Sequence, residues 1–166
     1  QNGAGTNTIG DDITSTADGI AFATAVTLTS TDAVTFQTGE AAGDDIALSG
    51  ALTGTDDNLT FDAGSAGDLT VGGTTALGTG NLIVRDTDIL NFGTTNAATI
   101  ALTANDVATG TYNATTTATI DATLVRAITL TAGTTARIEA SDNINQASVT
   151  AADLTVRGNN SVVLIN

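Results

Sequence analysis

The sequence predicts an all-β solenoid, in which short strands stack coil upon coil. Three observations predict this fold: a recurring apolar triplet, turn-forming residues between the triplets, and a composition with no proline and only 3% aromatic residues. No shift in composition marks a domain boundary. We therefore expect residues 1–166 to form a single β-solenoid segment.

The first observation is a triplet of apolar, any and apolar residue. This two-residue spacing is the period of a β-strand, so each triplet predicts a short strand with two inward side chains. Threonine often fills the middle position, as expected for the solvated face of a strand, and Thr35, Thr60 and Thr70 should point outward. The apolar residues of the triplets from Val34 to Leu102 should form the core. The triplets are Ile20/Phe22, Val26/Leu28, Val34/Phe36, Ile46/Leu48, Leu59/Phe61, Leu69/Val71, Leu82/Val84, Leu90/Phe92, Ile100/Leu102, Ile128/Leu130, Leu154/Val156 and Val162/Leu164.

Every second triplet between Ile46 and Ile100 recurs after roughly 18–23 residues. This is the length expected for one coil of a solenoid with two or three strands, and it predicts about eight coils in the chain. The stretch from Val107 to Leu124 has no clean triplet, which indicates a loop or a degenerate strand around Ile120.

Residues between the triplets are mainly Gly, Asp, Asn, Ser and Thr, which favour turns and so predict the corners of the coils. Strands with neighbours on both sides cannot lose a backbone donor, and this accounts for the absence of proline. Helix should be nearly absent, because Thr and Gly are poor helix formers. A β-sandwich is the alternative fold, although a sandwich of this size usually buries Trp or several Tyr.

The charge and composition exclude several functions. The net charge of −14 repels nucleic-acid phosphates and anionic lipids, so we expect no nucleic-acid partner. No apolar run is long enough to cross a bilayer, and we expect no direct membrane insertion. The chain has no Cys or His, which excludes a disulfide framework and the usual zinc sites.

Residues 43–107 include the phrases DIALSGAL, NLTFDAGSAGDLTVGG and TIALTANDV. This region resembles the repeats of filamentous-haemagglutinin-like exoproteins and related large bacterial adhesins, and residues 25–39 and 127–165 resemble them more loosely. The resemblance implies a right-handed parallel β-helix, export across the outer membrane, and a long stalk or fibre that carries adhesion sites. The family's secretion-recognition domain is not found in this sequence.

Several aspartates at predicted corners are candidate calcium ligands, because calcium prefers carboxylate and carbonyl oxygens. Neither the tandem Gly-Gly-x-Gly-x-Asp repeat nor the EF-hand pattern is present, so we expect no obligatory cofactor and interpret most of these residues as turn formers. The candidates in the central corners are Asp44, Asp45, Asp56, Asp57, Asp86 and Asp88, and Asp11–Asp12 and Asp142–Asn143 supply further oxygen donors.

Polysaccharide lyases and glycosidases also use β-helices, so Asp86 with Asp88 and Glu139 with Asp142 are candidate acid–base pairs. Such sites also need aromatic sugar platforms and basic groups. The chain has one Tyr, no Trp, no Lys and no His, and we predict that it is not an enzyme. Its four arginines, Arg85, Arg126, Arg137 and Arg157, should form local ion pairs on the outer surface.

The sequence therefore predicts a secreted structural protein, a rigid shaft or filament-forming segment of a bacterial surface adhesin or fibre. The chain begins at Gln1 and ends in the apolar run Val162–Ile165, which favours a segment of a longer protein or end-to-end association with another copy. Two alternatives remain open: a β-sandwich subunit of a surface layer or donor-strand pilus, and a calcium-assisted carbohydrate-binding module.

Overall fold

The computed structural model describes residues 3–30 and 32–164, and every strand pairing in it is parallel. These residues contain 18 strands and no helix, and hence none that could cross a membrane. The strands are β1 (Asn7–Ile9), β2 (Ile13–Thr14), β3 (Ile20–Phe22), β4 (Val26–Leu28), β5 (Val34–Gln37), β6 (Ile46–Leu48), β7 (Leu52–Thr53), β8 (Leu59–Asp62), β9 (Leu69–Val71), β10 (Thr75–Ala76), β11 (Leu82–Val84), β12 (Ile89–Ala97), β13 (Ile100–Ala114), β14 (Thr117–Ala132), β15 (Thr135–Ala140), β16 (Asn143–Thr150), β17 (Asp153–Gly158) and β18 (Ser161–Leu164).

The strands form a β-solenoid of about eight coils with three strands in each coil. The first face runs through β1, β4, β7 and β10, and then through the ends of β12, β13, β14 and β16. The second face runs through β2, β5, β8, β11, the starts of β13 and β14, β15 and β17. The third face begins with β3, β6, β9 and β12, and it ends with β18. The solenoid prediction is confirmed, and the β-sandwich alternative is wrong because sandwich sheets are built from antiparallel pairs.

The first pairing, Asn7 with Val26, spans 19 positions, and from β3 onward the coils shorten along the chain. Val26 pairs with Leu52, 26 positions later, whereas Leu59 pairs with Leu82 and Ile100 pairs with Ala118, offsets of 23 and 18 positions. In the early coils, loops separate short strands. In the later coils few residues remain for loops, so β13 and β14 each continue around two corners as one long strand. The predicted period of roughly 18–23 residues is confirmed for most pairings, but the offsets of β3 to β6, β4 to β7 and β5 to β8 are 25–26 residues.

The core contains the residues that the triplets predict. All twelve triplets lie in strands, and the apolar residues from Val34 to Leu102 are at most 5% exposed. Thr70 is exposed and Thr35 is half-buried, but the exposure expected of an outward residue is wrong for Thr60, which is only 6% exposed. Thr60 lies in the outward row of the sheet. Its register neighbours on the adjacent coils are Thr35 and Ile83.

All five aromatic residues of the chain form one ladder along the solenoid axis. Phe22, Phe36, Phe61, Phe92 and Tyr112 contact one another in that order, with ring centroids 5.4–6.1 Å apart. Three of the four contacts are edge-on, the geometry that the charge distribution of aromatic rings favours. The ladder therefore joins the first coil to the sixth through one continuous apolar contact.

The loop predicted between Val107 and Leu124 is absent. Ile120 is fully buried in β14 and pairs with Leu102 and Ile138, so the alternative prediction of a strand at this position is confirmed. The triplet pattern is missing there because Ala118 and Ala122 take the inward positions on either side of Ile120. The coil stays narrow, and small side chains fill it.

The corners fall where the turn residues predict them. Gly78 illustrates the requirement, because it adopts a φ of +59° between β10 and β11. A Cβ atom at this position would lie 1.9 Å from the carbonyl oxygen of Thr55 in the coil below. Only glycine combines this conformation with so close an approach of two coils.

Candidate functional sites

One corner of the solenoid, between the second and third faces, carries a column of aspartates that links successive coils. The backbone N–H of Asp68 donates to Asp45 Oδ1 at 2.9 Å, and the N–H of Ile89 donates to Asp68 Oδ1 at 3.2 Å. One coil further on, the Asn105 side chain donates to Asp88 Oδ1 at 3.1 Å. These carboxylates therefore accept hydrogen bonds between coils, in addition to any turn that they stabilise.

A second acidic group lies at the same corner, where the strands of the second face end. Glu40 Oε2 accepts a hydrogen bond from the backbone of Ser65 at 3.3 Å, and Asp62 Oδ1 accepts one from the N–H of Gly64, also at 3.3 Å. Asp86 lies near both acids, and their negative charges raise its pKa. The corner thus concentrates negative charge over three coils.

This crowding shifts the titration of two carboxyls. Burial raises the pKa of Asp68, and the charges of Asp45 and Asp88 raise it further, while the hydrogen bond from Ile89 opposes the shift. Burial also raises the pKa of Asp86, as do the charges of Glu40 and Asp62, and the N–H of Thr87 opposes this. The ionised form of both carboxyls is therefore less favourable in the folded protein than in the unfolded chain.

We expect Asp86→Asn to raise the melting temperature at pH 7. A carboxyl with a raised folded-state pKa contributes most to stability when it is protonated, and this contribution is lost as the pH rises above its unfolded value of about 3.9 toward and through the folded value. The gain from the substitution should therefore shrink between pH 7 and pH 4, as followed by thermal unfolding in circular dichroism. Asp32→Asn removes one exposed charge elsewhere and is the control. Equal pH profiles for the two variants would contradict the prediction.

Asp44 and Asp57 are buried aspartates in turns at two different corners. Each residue is 6% exposed. Asp44 Oδ2 accepts a hydrogen bond from the N–H of Ala41 at 3.1 Å, and Asp57 Oδ2 accepts one from the N–H of Thr55 at 3.2 Å. They differ in two respects. Asp44 bonds to the N–H three residues before it and Asp57 to the N–H two residues before it, and Asp57 Oδ1 is buried with no hydrogen-bond partner.

The six calcium candidates are therefore divided between two corners of the solenoid. Asp44, Asp45, Asp86 and Asp88 belong to the corner between the second and third faces, and Asp56 and Asp57 belong to the corner between the first and second. The exposed Asp56 accepts a hydrogen bond from the Thr79 hydroxyl. Across residues 3–30 and 32–164, no three acidic side chains are arranged as a ready-made metal cluster.

The two candidate acid–base pairs have other partners. Asp86 interacts with Glu40 and Asp62, whereas Asp88 interacts with Asp68 and Asn105. Glu139 forms ion pairs with Arg137 and Arg157, and the Asn160 side chain donates to Asp142. Arg126 also pairs with Asp106, so three of the four arginines form the local ion pairs predicted for them.

The last coil carries the most exposed large apolar side chains of the described structure. Leu154 and Val162 are 41% and 43% exposed, although both lie in register with the fully buried residues Ala136 and Ile144 of the preceding coil. β17 pairs with β15 and β18 pairs with β16, and no further strand covers them within residues 3–30 and 32–164. The side chains of Val163 and Leu164, and all of Ile165, lie outside the described residues.

One surface feature has no counterpart in the sequence pattern. A shallow groove of about 510 Å³ on the outside of the third face is lined by Asn91, Thr109, Arg126, Asn145 and Gln146, among others. Gln146 has a φ of +57° where the register between β16 and β18 shifts. No triplet or turn signal marks this position, because the irregularity arises from the pairing of two coils.

Comparison with known proteins adds no relative. No known protein family, no curated protein and no solved structure matches the chain.

Proposed function

We propose that the chain is a rigid shaft or filament-forming segment of an extracellular bacterial surface adhesin or fibre. The observation that carries the proposal is the unbroken parallel pairing of three faces over about eight coils. A solenoid of this kind grows by repetition, since each coil contacts only its neighbours. Its function then lies in length and stiffness.

The surface supports a structural role. All five aromatic side chains are committed to the internal ladder, which leaves no aromatic platform on which a sugar ring could stack. The acidic, lysine-free exterior favours solubility at high protein concentration. The resemblance of residues 43–107 to adhesin repeats supports a location outside the cell.

The proposal includes end-to-end stacking of the last coil on another coil. That coil belongs either to a continuing parent chain or to the first coil of an identical subunit. Apolar residues occupy the inward rows at both ends: Ile9, Ile13 and Phe22 are partly buried in the first coil, and Val149 and Val156 are partly buried in the last. A stacked coil would extend the same apolar rows.

A test of the shaft is to insert one additional coil. Residues 117–134 span one 18-residue period, because Thr117 pairs with Thr135, and their duplication preserves the phase of all three faces. We expect a folded protein whose rod is longer by about 4.8 Å, the spacing between strands. Small-angle X-ray scattering measures the length, and circular dichroism checks the strand content.

Duplication of residues 117–125 is the control, because it adds half a period and places inward residues of the following coils on the wrong face. This variant should lose stability or fail to fold. If both insertions were tolerated equally, or if the full period failed while the half period folded, the modular shaft would be wrong. Labelling of intact producing cells with a membrane-impermeant reagent tests the extracellular location separately.

A further inference from the structure

We infer that the last coil stacks on a second copy of this chain, head to tail and in phase, and that Arg157 forms an ion pair with Asp12 of that copy. The inference rests on the proposed end-to-end stacking and names its partner, where the proposed function leaves open a parent chain or an identical subunit. Two observations carry it: the strand register of the solenoid and the charges at its two ends.

The register aligns the inward rows of the first coil with those of the last. On the second face, an unbroken series of register partners leads from Ile13 to Val156. On the third face, another series leads from Ile20 to Val162. A second copy that continues the same phase therefore places apolar side chains over apolar side chains on both faces, and it covers Val162, which is 43% exposed.

Both ends present the strand edges that such a contact needs. Among residues 3–30 and 32–164, β1, β2 and β3 pair only with β4, β5 and β6, each on one side. A head-to-tail copy would extend the parallel ladders of the chain across the contact. Contacts between two first ends or two last ends would instead pair the strands antiparallel.

Charge also favours the head-to-tail orientation. Asp11, Asp12 and Asp18 are the only charged residues in the first coil, residues 3–25, whereas residues 143–164 at the other end carry one acid and one base, Asp153 and Arg157. Two first ends would repel each other, because each has three negative charges and no positive one. Against the last end, the acidic first end meets a cation.

That cation is available for a new partner. Arg157 is 77% exposed, and it lies 3.8 Å from Glu139 of the coil below, which is its register partner. Glu139 also pairs with Arg137, so one carboxylate is shared by two arginines. A second carboxylate above Arg157 would complete the alternation of charge along this edge.

Asp12 of the second copy lies within reach of Arg157. The same phase places Thr14 of that copy over Arg157, and Asp12 lies two positions away on the same outward side. This diagonal is about 8 Å between Cα atoms, which a long arginine side chain spans. The N–H of Thr35 donates to Asp12 Oδ1 at 2.7 Å, and this hydrogen bond holds the carboxylate in place.

The chain has no cysteine, so introduced cysteines can test the stack directly. Thr8 and Thr150 are exposed on the outside of the first face, and an unbroken series of register partners joins them across seven coil-to-coil steps. Within one chain they are therefore roughly 34 Å apart, too far for a disulfide, whereas in the stack they lie about 4.8 Å apart. We expect Thr8→Cys/Thr150→Cys to form a ladder of trimers and longer species on mild oxidation, seen on a non-reducing gel.

Two controls isolate the orientation and the phase. Each single-cysteine variant can form nothing larger than a dimer. Thr8→Cys/Thr155→Cys places the second cysteine on the second face and should not form the ladder. Efficient dimers of Thr150→Cys alone would indicate contact between two last ends and would overturn the head-to-tail stack.

A charge exchange tests the ion pair. Arg157→Asp and Asp12→Arg should each weaken association about tenfold, because each places like charges together, and the double variant should return to within about threefold of the unaltered chain. Sedimentation measures the association, and circular dichroism checks that each variant is folded. If the double variant associates no better than the single variants, the ion pair is wrong.

The outcomes separate this inference from the shaft. If the Thr8/Thr150 cysteines give no species larger than a dimer, or if the Thr155 control forms the same ladder, the in-phase second copy is wrong. The shaft would still stand if the duplication of residues 117–134 lengthens the rod. Failure of that duplication would contradict the shaft itself, whatever the cysteine variants do.

Discussion

Replacement of Phe61 by alanine should lower the free energy of unfolding by about 3–5 kcal/mol, the usual range for a large aromatic residue removed from a packed core. Phe61 is fully buried and contacts two other rings, with centroids 5.4 Å from that of Phe36 and 6.1 Å from that of Phe92. Its removal would leave a cavity in the middle of the aromatic ladder. Urea unfolding monitored by circular dichroism measures the loss.

Leu154→Ala is the control for this prediction, because it removes an aliphatic side chain that is 41% exposed in the last coil. It should cost well under the 2–5 kcal/mol typical of buried leucine. A double-mutant cycle between Phe36→Leu and Phe61→Leu should give a coupling of about 0.5–1.5 kcal/mol if the rings stabilise each other beyond their burial. A cost for Phe61→Ala no greater than that for Leu154→Ala would mean that the ladder adds nothing to stability.

The fold could be predicted from the sequence wherever a coil carries the apolar triplet. Leu59 with Phe61 and Leu69 with Val71 each place two large side chains inward in a short strand, and turn residues separate the two pairs. Periodicity therefore identifies strands and corners without any knowledge of pairing. Around Ile120 the sequence left a loop and a degenerate strand as alternatives, because flanking alanines fill the inward positions and leave no contrast between large apolar and small residues.

The candidate sites could be predicted only in part, because turn chemistry is local whereas partners across coils are not. The sequence pattern predicts corners at Asp45 and Asp68 from residue type alone. It does not predict that the N–H of Asp68 donates to Asp45, since this contact depends on a 23-residue offset between coils. The difference between Asp44 and Asp57 is likewise invisible in the sequence, because each residue belongs to an Asp-Asp pair in a turn and only the packing leaves one oxygen unpartnered.

Charge is distributed unevenly along the axis of the solenoid. All charged side chains before Arg85 are acidic, whereas the later coils contain all four arginines. The solenoid therefore has a strongly acidic first end and a more nearly neutral last end. A head-to-tail contact brings the acidic end against the end that carries Arg157, whose side chain is 77% exposed, while head-to-head contacts place like charges together.

Substitution of Leu154 or Val162 by aspartate should abolish end-to-end association while leaving the isolated protein folded. Both residues are more than 40% exposed, so a carboxylate at either position remains solvated in the monomer. In a stacked assembly the same carboxylate would be buried against an apolar row without a partner, at a cost on the order of 3 kcal/mol, which corresponds to about a hundredfold in the dissociation constant. Light scattering and analytical ultracentrifugation over a range of concentrations measure the association.

Thr131→Asp is the matched control for the stacking prediction, because it adds the same charge at an exposed position on the side of the solenoid and faces Asn113 and Thr150 in register, neither of which is charged. We expect this variant to associate like the unaltered chain. Electron micrographs of the associated form should show strands perpendicular to the long axis, since stacked coils continue the same ladders. If the unaltered chain remains a monomer at high concentration, identical subunits do not supply the next coil. If both aspartate variants and the control associate equally, the contact lies on the side of the solenoid, and stacking of the last coil is wrong.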